Sequence, residues 1–219
     1  ATTGDITLNT ATVTANLDDT AANLAAVFAG TVTTHTGTVT ISGAAAATVA
    51  QLVTINGATT GDITLNTATV TANLEGTAAN LAAAFAGTVT THTGTIGITG
   101  TNPTISQLNT IAGASSGVVT ATISGAASDL AGLTTLATDN ITVTITGANP
   151  TVSQLNGIAG KTAGVVTATI SGAATDLAGL TTASTDNITV SITGSDAATV
   201  AQLVTINGAT TGAITLNTA

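Results

Sequence analysis

The stretch NPTISQLNTIAGASSGVVTATISGAASDLAGLTTLATDNITVTITG, residues 102–147, decides the fold because it returns almost unchanged further along the chain. Its second copy is NPTVSQLNGIAGKTAGVVTATISGAATDLAGLTTASTDNITVSITG at 149–194, a shift of 47 residues. The segments 19–43 and 76–100 share another build and are displaced by 57 residues. Periods of this size indicate stacked supersecondary units rather than one globular core.

We predict that residues 1–219 form a single elongated solenoid. Cutting after each strand-like TISG, TITG or TLNT gives units that are mostly 22 to 25 residues long. Their approximate bounds are 1–18 (partial), 19–43, 44–67, 68–100, 101–125, 126–147, 148–172, 173–194 and 195–219.

The first half of each unit has the apolar spacing of a short helix with one buried stripe. Asn102 and Asn149 are predicted as N-caps, with Pro103 and Pro150 at the first helical position. The apolar positions are Leu24, Val27 and Phe28; Val49, Leu52 and Val53; Ile105, Leu108 and Ile111; Leu130, Leu133 and Leu136. The predicted C-terminal stops are Gly57, Gly113, Gly160 and Gly208.

The second half of each unit alternates with a period of two, which is typical of a strand. In ITVTITG, Ile141, Val143 and Ile145 face inward and the intervening threonines face outward. The segments ATVTANL at 11–17 and 68–74 are expected to prolong a strand or add a short one. Strand, helix and strand of the same direction make a right-handed parallel crossover. The predicted fold class is therefore an α/β repeat solenoid with a parallel sheet, and the alternative is an all-β solenoid.

Composition narrows the possible functions. The chain has one basic residue, ten acidic residues and a net charge of −9, so nucleic acid and anionic membranes are poor partners. Threonine supplies 55 of 219 positions and charged residues only 5%, which leaves a weakly charged surface that favours self-association. There is no cysteine for a disulfide or thiolate site, and polar residues or glycine interrupt every apolar run before it could span a membrane.

The reactive residues are few. His35 and His92 occupy equivalent positions in two copies of TVTTHTGT and are predicted as polar loop or strand-edge residues. Turn and cap chemistry explains the acids that open strands or first helical turns: Asp5, Asp62, Asp139 and Asp186; Asp129 and Asp176. We assign no catalytic, cofactor-binding or metal-binding residue and no cofactor, and we predict a protein that is not an enzyme. Calcium held between coils by carboxylates stays an open alternative.

Exposed threonines on a parallel sheet suggest a second kind of function. Rows of Thr-x-Thr resemble the ice-binding face of antifreeze solenoids, although Gly97, Asn66, Asn217 and Ser191 interrupt the rows here. The simpler explanation is that threonine is a good strand former on a solvated surface. The sequon NIT at 140 and 187 matches a glycosylation site at two predicted strand starts.

The two ends of the chain carry nearly the same phrase, ATTGDITLNT at 1–10 and ATTGAITLNT at 209–218. Neither end has the polar character of a solenoid cap. We expect either a longer repetitive chain or separate copies that stack end to end. A head-to-tail contact that does not close produces a filament.

Three segments carry a family resemblance: DTAANLAA at 19–26, GTAANLAA at 76–83 and ISGAASDLAGLTT at 123–135. They resemble repeats of giant secreted or surface proteins of bacteria, notably cyanobacteria, that are described as adhesin-like. The resemblance implies an extracellular or cell-surface location. The leading hypothesis is a structural protein that forms or extends a filament, sheath or surface fibre, with itself as partner and possible glycan contact. The alternative is a threonine-face module that binds ice or carbohydrate.

Overall fold

A computed structural model describes residues 5–100 and 102–216 of the chain. These residues belong to two compact units, 1–119 and 120–219, and in each unit parallel strands alternate with helices. This confirms the predicted α/β class and the helix-strand repeat. The all-β alternative is wrong, because the Ala-rich segments form helices.

The first unit contains two sets of parallel strands. The strands β1, β2 and β3 pair in that order, β4 pairs with β5, and a bridge joins Ile63 of β3 to Val89. Helix α3 packs between α2 and α5, and α5 also contacts α6. The elements are α1 (Thr10–Thr14), β1 (Leu17–Thr20), α2 (Ala21–Val27), β2 (Val39–Ser42), α3 (Val49–Ala58), β3 (Ile63–Thr64), α4 (Thr67–Thr71), β4 (Leu74–Thr77), α5 (Ala78–Ala84), β5 (Ile96–Thr99) and α6 (Ile105–Gly113).

The second unit has one sheet in which each strand from β6 to β10 pairs in parallel with the next. Helix α7 contacts α8, and α9 contacts α10. The elements are β6 (Val119–Gly125), which starts at the last residue of the first unit, α7 (Ala127–Leu130), β7 (Asn140–Ile145), α8 (Val152–Ala159), β8 (Val166–Gly172), α9 (Ala174–Leu177), β9 (Asn187–Ile192), α10 (Val200–Gly208) and β10 (Ile214–Leu216).

The strand alternation places the core as predicted. In β7, Ile141, Val143 and Ile145 are buried, while the threonines between them are only half-buried. The same alternation predicts inward-facing apolar residues in the other strands, and most of these are also buried. The exceptions are Ile98 and Ile214, which are half-buried, and Leu216, which is exposed. Branched side chains on one face of each strand therefore build the core against the helices.

The predicted helix starts at Asn102–Pro103 and Asn149–Pro150 are wrong. Helix α6 begins after Thr104, whose hydroxyl accepts a hydrogen bond from Gln107 N at 3.1 Å, while Gln107 Oε1 accepts from Thr104 N at 2.9 Å. The same Thr-x-x-Gln capping box starts α3, α8 and α10. It satisfies two otherwise free N–H groups, which a lone N-cap cannot do. Asn149 instead binds the next coil through Ser171, by Nδ2 to the carbonyl at 2.9 Å and by Oδ1 to the N–H at 2.7 Å.

The ATVTANL segments do not prolong the preceding strands, contrary to one of the two predictions, and a short strand begins only at the last residue of each segment, Leu17 in β1 and Leu74 in β4. They contain the short helices α1 and α4, which Asn9 and Asn66 cap by accepting hydrogen bonds from Thr12 N at 2.8 Å and Thr69 N at 2.9 Å. An asparagine side chain that accepts a hydrogen bond from the backbone N–H three residues later stabilises a helical turn, even where β-branched residues favour a strand.

The helix predicted to include Leu130, Leu133 and Leu136 is shorter than expected. Helix α7 ends at Leu130, Leu133 is buried in the turn that follows, and Leu136 is exposed. The carboxylate of Asp139 accepts a hydrogen bond from Leu136 N at 2.8 Å and closes a turn in place of a further helical turn. The predicted glycine stops are accurate to about one residue, since Gly113 and Gly208 end their helices, Gly160 is a C-cap and Gly57 precedes the last residue of α3.

Glycines allow successive coils to approach closely at the corner before each strand. A Cβ atom on Gly61 would lie inside contact distance of the Gly37 carbonyl, and one on Gly212 would meet the Ile188 carbonyl in the same way. Backbone therefore packs directly on backbone at this corner, which only glycine permits.

Candidate functional site

His35 and His92 lie at equivalent coil corners in the first unit. Each forms a parallel bridge to the next coil, His35 with Thr59 and His92 with Ser115. Their backbone position at a strand edge agrees with the prediction, and the structure adds that both side chains are completely buried. The sequence signal for burial is weak, because threonine and glycine surround both histidines.

The two imidazoles occupy an unusual environment for a polar ring. The ring centroid of His35 lies 5.9 Å from that of Phe28, and the His92 centroid lies 5.7 Å from that of Phe85. None of the four ring nitrogens has a hydrogen-bond partner among residues 5–100 and 102–216. Burial lowers the pKa of His92 below its ordinary value of 6.5, although the nearby backbone carbonyls of Ala72, Thr69 and Thr95 oppose the shift. His92 is therefore neutral at neutral pH and has neither a hydroxyl to activate nor a carboxylate to orient it.

Asp139 and Asp186 are the buried acids of the second unit. The Asp186 carboxylate accepts hydrogen bonds from Val166 N and Ala183 N, both at 2.8 Å. Asp139 accepts from Leu136 N at 2.8 Å in the equivalent turn. The predicted turn role is confirmed, and the structure adds that both carboxylates are buried and bound to backbone N–H groups. Both carboxylates therefore stabilise the turns that precede β7 and β9.

The other acids of the described residues form no cluster of three. Asp129 and Asp176 lie in the first turns of α7 and α9, as predicted. Asp19 is exposed, and its carboxylate accepts hydrogen bonds from Asn23 Nδ2 at 2.9 Å and Thr20 N at 2.7 Å, which lower the pKa of Asp19. Within residues 5–100 and 102–216, no three His, Asp or Glu side chains gather where they could share a metal ion.

Shallow grooves recur with the coils. One is lined by Phe28, Gly30, Val32 and Gly57, and the equivalent groove in the second copy of this repeat is lined by Phe85, Gly87, Val89 and Gly113 among others. Neither lining includes a titratable side chain. The grooves are gaps between successive coils, and their linings provide no group for acid-base catalysis.

The threonine face is present on the sheet of the second unit. Thr122 lies opposite Thr142 in adjacent strands, and the row that passes from Thr144 to Thr167 continues to Asn187. Threonine pairs therefore line up locally, and Asn187 is an interruption in addition to those predicted. Of the predicted interruptions, Ser191 lies opposite Ser171 in this sheet, and Asn217 lies outside the described residues. The sequon residues Asn140 and Asn187 are exposed at the starts of β7 and β9.

None of the helices in the described part of the chain combines the length and apolar character that crossing a bilayer requires. Comparison of the chain with protein-family models, curated proteins and solved structures finds no match.

Proposed function

We propose that this chain is a non-enzymatic, extracellular structural protein that forms or extends a filament, sheath or surface fibre. Assembly proceeds by head-to-tail stacking of coils. The observation that carries the proposal is the repeated coil-to-coil contact, in which one coil's corner carbonyl accepts a hydrogen bond from the next coil. The N–H···O distances are 2.9 Å from Thr60 to His35, 2.8 Å from Ser116 to His92, 2.7 Å from Ala163 to Asp139 and 2.8 Å from Thr211 to Asp186.

A repeated contact of this kind favours growth by addition. Each coil offers to the next coil the same kind of carbonyl acceptor that it uses in the preceding coil. Another coil of the same sequence can therefore hydrogen-bond to the unpaired edge of the last one. The weakly charged surface opposes association less than an ordinary charged surface does. The extracellular location rests on the resemblance of the segments at 19–26, 76–83 and 123–135 to repeats of secreted and surface proteins.

Electron microscopy of the purified chain at near-native salt tests the proposal. We expect filaments of uniform width whose axial repeat equals a whole number of coils. Added salt should promote assembly, because it screens the repulsion between copies that each carry a net charge of −9. Dispersed particles across a wide range of concentration and salt would overturn the proposal.

The threonine-face alternative has one observation in its favour, the alignment of Thr122 with Thr142 and of Thr169 with Thr189 on the outer side of the sheet. An ice binder stays dispersed and produces thermal hysteresis. Replacing Thr142 and Thr144 by bulky residues should abolish that activity. An unchanged hysteresis in this variant, or none in the unmodified chain, excludes the alternative.

A further inference from the structure

The same helical sequence occurs in two different environments in this molecule. Residues 46–61 and 197–212 are identical, and they contain α3 and α10. In α3, Val49 and Val53 are half-buried, because α5 lies against this helix. In α10, the equivalent Val200 and Val204 are 78% and 67% exposed. The exposed face of α10 is therefore a surface whose covered form is visible elsewhere in the chain.

The segment 74–99 supplies the cover for α3. Asn56 of α3 donates through Nδ2 to the carbonyls of Ala84 at 2.9 Å and Ala86 at 2.8 Å. Its counterpart in α10, Asn207, is exposed, and its side chain makes no hydrogen bond to any residue in the described ranges. The side-chain amide of Asn207 and the two exposed valines of α10 thus lack the partners that the equivalent residues of α3 have.

The adjoining strand shows the same difference. Ile63 of β3 donates to Thr88 O at 2.9 Å and accepts from Thr90 N at 3.0 Å, and Leu65 nearby is 5% exposed. In β10, which pairs with β9 as its one described neighbour, the counterpart Leu216 is 55% exposed. The exposed apolar side chains of α10 and β10, Val200, Val204 and Leu216, define the α10–β10 surface.

The chain also carries a close copy of the segment that covers α3. Residues 11–43 match 68–100 at 27 of 33 positions. Within this copy, Val27 of α2 takes the position of the buried Ala84 and is 54% exposed. One molecule therefore exposes both halves of a contact that it already forms internally.

We propose that the α10–β10 surface binds residues 11–42 of a second copy of this chain, with β10 replacing residues 5–8 of that copy by strand exchange. This inference rests on the proposed filament function and specifies its joint. Exchange is needed because the position that β10 must occupy is filled in the free molecule. Ile6 donates to Thr31 O at 2.9 Å and accepts from Thr33 N at 3.1 Å, as Ile63 does with Thr88 and Thr90.

The exchange conserves hydrogen bonds and gains apolar burial. Ile214 and Leu216 repeat the residue types of Ile6 and Leu8, so β10 offers the same donors and acceptors to Thr31 and Thr33. The gain comes from covering Val200 and Val204 of one copy and Val27 of the other, together with Leu216. Strand replacement of this kind is an established mode of β-sheet recognition.

The main sequence difference at the joint is compatible with the internal contact. Asp19 stands where the internal copy has Gly76. A Cβ atom on Gly76 would lie 3.6 Å from Val49 Cγ1, which is ordinary van der Waals contact. The Asp19 carboxylate is held by Asn23, so it remains at the rim of the contact.

The first experiment uses two charge variants of the full chain, Val204→Glu and Val27→Glu, in sedimentation velocity. An unpaired charge in the joint should weaken association at least about 100-fold, so each variant alone stays monomeric. Mixed in equal amounts, they should form dimers and nothing longer, because only one intact α10 surface and one intact α2 surface remain. Leu136→Glu, at an exposed leucine outside the joint, is the matched control and should assemble like the unmodified chain.

The second experiment tests the exchange with one substitution at two equivalent positions. Ile6→Asp should accelerate assembly, because it loosens the segment that β10 must displace. Ile214→Asp should abolish assembly, because it damages the incoming strand. A general loss of stability would move both variants in the same direction, and thermal unfolding of each variant reports that loss separately.

The outcomes separate this inference from the proposed function. Filaments that persist in both glutamate variants, or a mixture that never dimerises while the unmodified chain polymerises, would overturn the joint and leave the filament function standing. An unmodified chain that stays monomeric overturns both. Equal effects of Ile6→Asp and Ile214→Asp would overturn the exchange.

Discussion

The two units place different residues at the coil corner, the position whose backbone carbonyl accepts a hydrogen bond from the next coil. His35 and His92 form the corners of the first unit, and Asp139 and Asp186 form those of the second. In all four, the backbone carbonyl accepts a hydrogen bond from the next coil and the side chain is buried. The backbone contact therefore tolerates either residue type.

The side chains differ in whether their polar atoms are satisfied. Each carboxylate at an Asp corner binds backbone N–H groups, whereas the imidazoles at the His corners bind none. A buried polar atom without a partner costs about 1 to 3 kcal/mol, while a charge-assisted hydrogen bond stabilises. The comparison indicates that stability at the corner comes from side-chain hydrogen bonds in the second unit and from packing against phenylalanine in the first.

The largest expected effect comes from removing an Asp corner. Asp186→Ala leaves Val166 N and Ala183 N without their buried acceptor, and we expect a loss of about 2 to 5 kcal/mol in unfolding free energy. Urea denaturation measures the loss. Asp186→Asn, which keeps one acceptor oxygen, is the control and should cost less. A change below about 0.5 kcal/mol in Asp186→Ala would contradict the role of the carboxylate.

A smaller effect is expected from the threonines beside the corners. Thr210 Oγ1 accepts from Ile188 N and Gly212 N, both at 2.8 Å, whereas Thr59 Oγ1 accepts from Gly61 N at 3.0 Å. Thr210→Val should cost about 2 kcal/mol and Thr59→Val about 1 kcal/mol, because more N–H groups lose an acceptor in the first case. Denaturation midpoints of the two isosteric variants test this order, and the reverse order would refute it.

Acid should destabilise the His corner at His92. The pKa of His92 is below 6.5 in the folded chain, so the unfolded chain binds the proton first as the pH falls. Stability is complete above pH 6.5 and declines between that value and the lower folded-state pKa, by up to about 1.4 kcal/mol per pH unit. Thermal melts between about pH 7.5 and about pH 4.5, which span the ordinary histidine pKa, should show this decline. The substitution His92→Leu should reduce the slope of melting temperature against pH. Parallel curves for the two proteins would exclude His92 as its source.

The smallest effect has the opposite sign. His92→Leu at neutral pH removes two unsatisfied nitrogens and keeps an apolar side chain beside Phe85, so we expect a gain of about 1 kcal/mol or no change. The same urea experiment measures it. A loss above about 1 kcal/mol would mean that the imidazole has a bound partner, for example a buried water.

Periodicity in the sequence was sufficient for the elements that depend on local pattern. Alternation in ITVTITG indicated the buried face of β7, and the apolar spacing around Leu52 and Leu108 indicated α3 and α6. The Asn-Pro pairs at 102–103 and 149–150 predict helix starts that lie before the true ones, because the Thr-x-x-Gln capping boxes at Thr104 and Thr151 satisfy two N–H groups each. Helices α1 and α4 were missed because valine and threonine favour strands, and the asparagine caps outweighed that preference.

The candidate sites depended more on tertiary contact. The turn role of Asp186 was predictable from its position before a strand, but its second hydrogen bond comes from Val166, 20 residues away. The burial of His35 was not predictable, because it depends on a tertiary contact with Phe28 of the same coil and on the bridge to Thr59 of the next coil. The openness of α10 was not predictable either, since the identical sequence in α3 is covered.

By itself, the sequence determined the repeat length, the alternation of helix and strand, the inward branched residues and the near-absence of charge. These properties follow from local periodicity and composition, which each unit carries in its own residues. Only the tertiary structure decided which corner side chains form hydrogen bonds, which helices are covered by a neighbour and which apolar side chains of α10 and β10 stay exposed. Identical residues in α3 and α10 end up buried or exposed because burial depends on the neighbouring coil, and a coil's own sequence does not contain its neighbour.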